Sequence, residues 1–376
     1  MQYVDLCGNK ISRLGLGCMR LPEIEQDDNK KINYPKAMEM ADYAISNGIN
    51  YFDTAYIYHD EDSENFIKEV ITKHGRKSIF IADKLPIYFC KKEEDLQNYL
   101  DEQLERLGTD YIDYYLFHTV DKDNFNIMQK LNYKKFIETN INNGKIKHIG
   151  FSFHDDFEIF KQILDDYNWD FCQIQFNYLD TEYQAGLKGY EYATSKNIPI
   201  IVMEPIRGGR LASIPNPVKE VFNTKYNNYE DAELALRFVG NYPNIKVILS
   251  GMRRMSDLES NIKLFSENLM NKLDNNDLEI YKQAKQTFSD YQLVNCTGCA
   301  YCTSACPKNI PIPDIFSKYN EQISAPYLNI NESKEWYNNL QNNAKDCIKC
   351  SSCERKCPQS LQIIKSLEIA DKYLSK

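Results

Sequence analysis

Up to about residue 265 the chain alternates between two rhythms of apolar and polar positions. Short apolar runs read as strands near Leu14–Cys18, Asn50–Asp53, Ile79–Lys84, Ile112–His118, Ile146–Ser152, Phe171–Gln175, Ile198–Met203 and Lys246–Ser250, because strands buried on both faces lose the polar alternation of a surface sheet. Between them, apolar residues recur at helical spacing through Pro35–Asn47, Ser63–His74, Glu93–Leu107, Phe157–Tyr167, Tyr183–Ser195 and Asp231–Val239, the pattern of helices with one buried stripe. A strand pair is expected around Tyr3–Leu14. This alternation predicts a parallel sheet with crossover helices. Eight such units match the size and order of an α/β fold, the (β/α)8 TIM barrel, in which functional groups gather at the C-terminal strand ends. An open doubly wound sheet is the alternative, but no Gly-x-Gly-x-x-Gly follows an early strand to favour it.

A closing helix over Asn271–Phe288 leads out of this region, and from Asn295 onward Pro, Asn, Ser and Cys become frequent. The change predicts a barrel domain over residues 1–289 and a smaller, mainly helical domain over 290–376. A chain of 376 residues is long enough for both. The net charge of -9 and the scattered placement of Lys and Arg leave no basic face for nucleic acid. No apolar stretch approaches the ~18 residues of a membrane span, and Met1–Leu14 lacks the order of a signal peptide. A soluble, cytoplasmic protein is therefore expected.

Four of the strand-like runs finish in polar groups. Asp53 ends the second, with Tyr58 five residues on; Lys84 ends the third, His118 the fourth, and Ser152 the fifth. Taken singly, these residues have plain structural readings: a helix cap, a solvated charge, a core histidine, one of 27 tyrosines. A barrel brings Asp53, Lys84 and His118 to one mouth, with Tyr58 in the following loop. A phenol with a pKa of about 10 is a poor proton donor near neutrality unless a cation stabilises its anion. Lys84 is placed to supply the cation, Asp53 to hold the ammonium, and His118 to orient a substrate oxygen.

In Asp53-Thr54-Ala55-x-x-Tyr58, Lys84, Tyr115-Leu116-Phe117-His118 and Ile149-Gly150-Phe151-Ser152, the barrel portion resembles the aldo-keto reductase superfamily. The resemblance implies that Tyr58 is the general acid on a carbonyl oxygen while a nicotinamide cofactor delivers hydride, with Lys84 and Asp53 tuning the phenol and His118 placing the carbonyl. It implies further that Ser152 and Gln173 hold the nicotinamide carboxamide. Met203-Glu204-Pro205-Ile206-Arg207-Gly208-Gly209-Arg210-Leu211 resembles the loop that covers the pyrophosphate, its glycines suiting close backbone approach and its arginines suiting phosphate. Ser250-Gly251-Met252-Arg253 resembles the start of the adenosine-binding segment, with Asn261 placed for the adenine. This sequence departs from the pattern at Phe153, where many members have Asn, at Met203, where a tyrosine usually stacks on the nicotinamide, and at Asp257, where a basic residue commonly meets the 2'-phosphate. Family habit favours NADPH, with NADH as the alternative and Arg253 or Arg254 able to compensate for Asp257.

Of the twelve cysteines, Cys7, Cys18, Cys90 and Cys172 are separate and read as small apolar residues. The other eight form Cys296-x-x-Cys299-x-x-Cys302-x-x-x-Cys306-Pro307 and its repeat, Cys347-x-x-Cys350-x-x-Cys353-x-x-x-Cys357-Pro358. Three thiolates at steps of three reach three irons of one cubane, and the fourth cysteine of such a run ligates the other cluster. This assigns Cys296, Cys299, Cys302 and Cys357 to one [4Fe-4S] centre and Cys347, Cys350, Cys353 and Cys306 to a second. Zinc is the alternative for paired Cys-x-x-Cys. The segment resembles a dicluster ferredoxin whose long spacer, with helix-like stretches at Asp314–Ile323 and Ser333–Asn343, makes it mainly helical.

A nicotinamide moves two electrons as hydride and a cubane moves one at a time. The favoured reading is a carbonyl reductase or alcohol dehydrogenase acting on a small molecule, with clusters that are peripheral or connect it to a redox partner protein. The alternatives are an electron-transfer protein whose barrel binds a flavin or a partner without carbonyl chemistry, and a structural or redox-sensing role for the clusters.

Overall fold

The computed structural model describes residues 1–26, 29–289, 293–324 and 329–375. Its contacts divide into two units, Met1–Pro205 with Arg237–Lys272, and Ile206–Leu236 with Leu273–Lys376.

In the first unit eight parallel strands close into a barrel in sequence order: Leu14–Gly17, Tyr51–Asp53, Phe80–Leu85, Ile112–Val120, Ile146–Phe153, Phe171–Gln175, Ile200–Met203 and Ile245–Ser250. The barrel reading holds, and the open-sheet alternative falls because the last strand pairs with the first, Leu249 opposite Gly15. Helices Ser63–His74 and Glu93–Leu107 occupy the residues expected, and helices at Lys122–Lys130, Tyr133–Asn142 and Met255–Leu264 add to those read from periodicity. Two hairpins also form, Tyr3–Leu6 with Asn9–Ser12 and Glu23–Gln26 with Asn29–Ile32.

The first hairpin decides which end of the barrel is open to chemistry. Leu6 and Ile11 are buried in a cluster with Tyr51, Ala82, Tyr114, Phe171, Ile201 and Val247, residues at or near the starts of the barrel strands. Tyr114 donates its hydroxyl proton to the Leu6 carbonyl at 2.9 Å. With the N-terminal end plugged by apolar packing, polar groups collect at the other end, where strands run into loops.

The second unit has its own apolar core. Ile310, Ile312, Ile315, Phe316 and Tyr319 from the region of helix Ile312–Ser324 pack with Ile363, Leu367, Ala370 and Leu374 of helix Ile363–Leu374, and with Tyr337. Helix Asn216–Tyr226, not read from periodicity, and helix Asn275–Ser289 group with this unit and pack on each other through the Phe222–Tyr281 ring contact, 5.1 Å between centroids, and through Lys225 and Tyr226 on Asp277. The contact grouping therefore differs from the composition change near Ser289, since these helices pack on one another; residues 290–292 at that change lie outside the described set.

Candidate active site

The second strand ends at Asp53, and the chain turns at once through Thr54–Asp62 into helix Ser63–His74. Thr54 and Ser63 hydroxyls, both buried, meet at 2.8 Å and tie the helix start to the strand end. Within the turn His59, Asp60 and Glu61 all have positive φ, a costly run for residues with a Cβ, and the Ser63 amide bonds back to the Tyr58 carbonyl at 3.2 Å. The result aims Tyr58 back over the strand ends, where it is buried.

Lys84 is fully buried. Its ammonium donates to Asp53 Oδ1 at 2.7 Å and to the Thr54 carbonyl at 2.6 Å. The same nitrogen lies 4.8 Å from the centre of the Tyr58 ring. The fourth strand loses register with the fifth between Phe117 and Val120, and Thr119 takes a φ of 57°. Such a bulge re-aims a side chain at a barrel rim. Here it turns His118 so that its ring stands edge-on to Tyr58, 6.0 Å between centroids. All four predicted residues of the tetrad thus meet at one rim.

The electrostatics differ from the sequence expectation in one respect. Burial holds the Tyr58 phenol well above its ordinary value, and the Asp53 carboxylate pushes it further the same way. Lys84 pairs with Asp53 and lies over the ring face, and burial and Asp53 together set the direction of the shift. Burial also lifts Asp53 above the usual carboxylate range, against the pull of Lys84. His118 is driven well below its ordinary value by burial and then by Lys84, which makes it a neutral hydrogen-bonding group.

Sequence reasoning overlooked several neighbours. Tyr88, after the third strand, places its hydroxyl 3.5 Å from His118 Nδ1, and burial holds His154, after the fifth strand, to about 4. Behind Lys84, Asp83 and Glu64 are buried carboxyls whose mutual repulsion adds to burial in holding Asp83 well above its ordinary value. Gln103 donates to Glu64 Oε1 at 2.8 Å and to the Lys84 carbonyl at 3.1 Å, which braces the strand. The only sequence signal for this group is an acid beside the lysine on an otherwise apolar strand.

Of the predicted nucleotide residues, Ser152, Gln173 and Met203 converge from successive strand ends. Gln173 Nε2 is 3.5 Å from both Ser152 Oγ and Met203 Sδ, and Ser152 Oγ is 3.6 Å from the same sulfur. Gln173 Oε1 is buried with no hydrogen-bond partner, and an unmet buried acceptor of this kind suits the N–H of a carboxamide. Phe153 is buried against Phe151 and Phe160 and makes no polar contact there. Ser250 accepts from Asn261 Nδ2 at 3.1 Å, and Gly251 lies against the Arg20 side chain. Asp257 binds Arg254 at 2.7 Å, and Arg253 reaches Glu23 at 3.8 Å, so both cations meet acids.

Arg207, Gly208 and Gly209 belong to the second unit. Gly208 has φ +64°, and a Cβ there would fall 2.0 Å from the Thr297 carbonyl oxygen. The close backbone approach that glycine permits is used here by the first cysteine run. Arg210 adds a 2.6 Å hydrogen bond to Asn295 and lies over the Phe288 ring.

The eight tail cysteines line two cavities. One is bounded by Cys296, Cys299, Cys302 and Cys357, the other by Cys347, Cys350, Cys353 and Cys306. Each cavity therefore takes three thiols from one run and the fourth from the other, the distribution that cross-ligated cubanes need. The thiols surround a space, for among the described residues no three potential ligands close on a single ion. The two runs also repeat in backbone: positive φ falls at Gly298 and Lys349, at Ala300 and Ser351, and at Asn309 and Ser360.

Comparison with known proteins agrees with both halves. The model of the aldo/keto reductase family matches residues 13–281, and that of a 4Fe-4S dicluster domain matches residues 265–362. The chain belongs to the aldo/keto reductase family. That is a family of NAD(P)H-dependent oxidoreductases, and this member carries a 4Fe-4S dicluster domain as well. Among curated relatives, a probable aldo-keto reductase of Glycine max is 32% identical over 154 residues, 39% of this chain and 42% of that protein. Glycerol 2-dehydrogenase (NADP(+)) of Saccharomyces cerevisiae is 32% identical over 113 residues, 30% of this chain and 31% of that one. The chain thus spans less than half the length of these two relatives. In fold it is similar to the aldo-keto reductase AKR11C1 from Bacillus halodurans, with TM-score 0.63, 20% identity and coverage of 76% of this chain and 96% of that one. Among the described residues no helix is long and apolar enough to cross a membrane.

Proposed function

We propose that this chain is an NAD(P)H-dependent reductase or dehydrogenase that interconverts a small carbonyl compound and its alcohol, with Tyr58 as general acid, and that two [4Fe-4S] clusters link it to a one-electron partner. The observation that carries the reading is the buried Lys84–Asp53 pair beneath the Tyr58 ring, with His118 on the same rim. A buried ion pair costs desolvation that a merely structural position meets more cheaply with apolar packing. Here it supports a phenol.

When bound, a nicotinamide supplies hydride to, or takes it from, the substrate carbon, and the cubanes carry electrons singly. The residues of this chain do the rest. Tyr58 keeps its proton at neutral pH because burial opposes the phenolate, and it gives that proton to the carbonyl oxygen as negative charge develops there. Lys84 then stabilises the phenolate from the ring face. His118 is neutral and has Tyr88 at Nδ1, so with Tyr88 donating to Nδ1 its Nε2–H is left to orient the carbonyl. Ser152 and the unmet Gln173 Oε1 would hold a carboxamide. Asp257 beside Arg254 leaves the preference for NADPH resting on family habit.

The test is turnover of an aldehyde and ketone panel with NADPH under anaerobic conditions. Tyr58→Phe should lower kcat by roughly 10²–10⁴-fold with little change in fold. A variant that turns over like the parent would refute the acid role. The second reading, electron transfer without carbonyl chemistry, draws on Met203 at the stacking position and on the Gly208 loop engaged by Thr297. Bleaching of the visible iron–sulfur absorption by NADPH alone, with no carbonyl turned over, would favour it.

A further inference from the structure

The two cysteine runs repeat residue by residue, so equivalent positions can be compared directly. Thr297 and Ile348 both follow the first cysteine of their run. Thr297 is 3% exposed, with its carbonyl against Gly208, whereas Ile348 is 57% exposed and is the most exposed large apolar side chain among the described residues. Within the second unit, the loop from Arg207 to Leu211 thus covers one run and leaves its repeat uncovered. An isolated exposed isoleucine needs no explanation. One set between two cysteines that line a cavity, Cys347 and Cys350, with Cys350 itself exposed, has a covered counterpart that defines what is missing.

Charge identifies the cover. From Asn295 to Cys306 the first run contains no charged residue. Around the second, Lys345, Lys349, Arg355 and Lys356 meet Asp346 and Glu354, with Glu368 paired to Lys349 at 2.7 Å, and exposed Lys308 lines the same cavity, which leaves cations in excess. This basic patch stands in a chain of net charge -9. A small acidic protein is steered to such a patch and seats an apolar contact at its centre.

We propose that the surface around Ile348, framed by Lys308 and Lys345, is the docking face for an acidic one-electron carrier protein, and that electrons enter or leave the chain at the Cys347–Cys353 run. The proposal rests on the two-cluster reading above. Each encounter moves one electron: the carrier is oxidised by one, the chain is reduced by one, and no bond forms or breaks.

The experiment uses the anaerobically reconstituted full chain and a recombinant acidic plant-type ferredoxin, photoreduced, as the probe, followed by stopped-flow absorbance. The second-order rate should fall steeply with ionic strength. Lys308→Glu with Lys345→Glu should lower it roughly tenfold at low salt and flatten that dependence. Ile348→Ser should slow transfer without altering the salt slope. In all variants iron content, the spin-resonance spectra of both clusters and reduction by dithionite should match the parent. A transfer rate indifferent to salt and to the charge reversals, or self-association of the parent that Ile348→Ser removes, would overturn the docking face alone. A parent chain lacking iron or cluster spectra would instead overturn the reading beneath it.

Discussion

At the barrel rim Lys84 is fully buried and already has two oxygen partners, within 2.7 Å. In the tail, Cys350 is exposed, and the eight thiols stand around two cavities on runs with positive φ at Ala300, Lys349 and Ser351. The helices between ligands, Tyr301–Ser304 and Ser352–Arg355, are single turns, too short to be stable alone. The rim is a site assembled by protein contacts before any ligand arrives. The tail is a set of donors carried on an apolar core of its own, around two cavities that metal would fill. Apolar burial thus orders the rim side chains themselves, whereas in the tail it orders the helices and coordination would order the thiols.

The comparison can be broken most sharply at Lys84. Lys84→Met leaves Asp53 buried without its cation, and loss of one partner of a buried pair costs about 3–5 kcal/mol; urea denaturation should show that loss together with loss of carbonyl turnover. A variant as stable as the parent would mean that the rim does not depend on this pair. Iron removal tests the other side. Anaerobic chelation should open the segment from Cys296 to Cys357 to limited proteolysis, while the barrel strands stay protected; equal protection before and after would show that the tail holds itself. The smallest effect is acidification. His118 is buried and His154 half-buried, and desolvation holds both below the ordinary 6.5, His154 at about 4. Between those values the unfolded chain binds protons that the folded chain does not, so stability should fall as pH drops from 6.5 toward 4. Replacing His154 with Gln should flatten that slope in thermal melts, and an unchanged slope would remove His154 from the account.

Much of this was legible in the chain itself. Strand runs and helix stripes predicted the barrel because burial on both faces leaves a continuous apolar signature. Asp53, Lys84 and His118 stood out because each ends such a run, and the two cysteine runs stood out by spacing alone. The helices at Lys122–Lys130 and Tyr133–Asn142 were missed although each has an apolar stripe, because a polar residue, Asn124 in one and Asn140 in the other, shares the buried face. The Glu64–Asp83 group and Tyr88 were missed because their partners are distant in sequence or on a loop.

What the residue order determined by itself was the periodic pattern, the tetrad's chemical types and the repeated thiol spacing, all of which are local properties. Tertiary structure alone decided that Lys84 lies over the Tyr58 ring, that Gly208 meets Thr297, and that Ile348 is left bare where Thr297 is covered. Those outcomes depend on which surfaces close against each other. Burial, and the shifted proton affinities that follow from it, is a property of the packed chain.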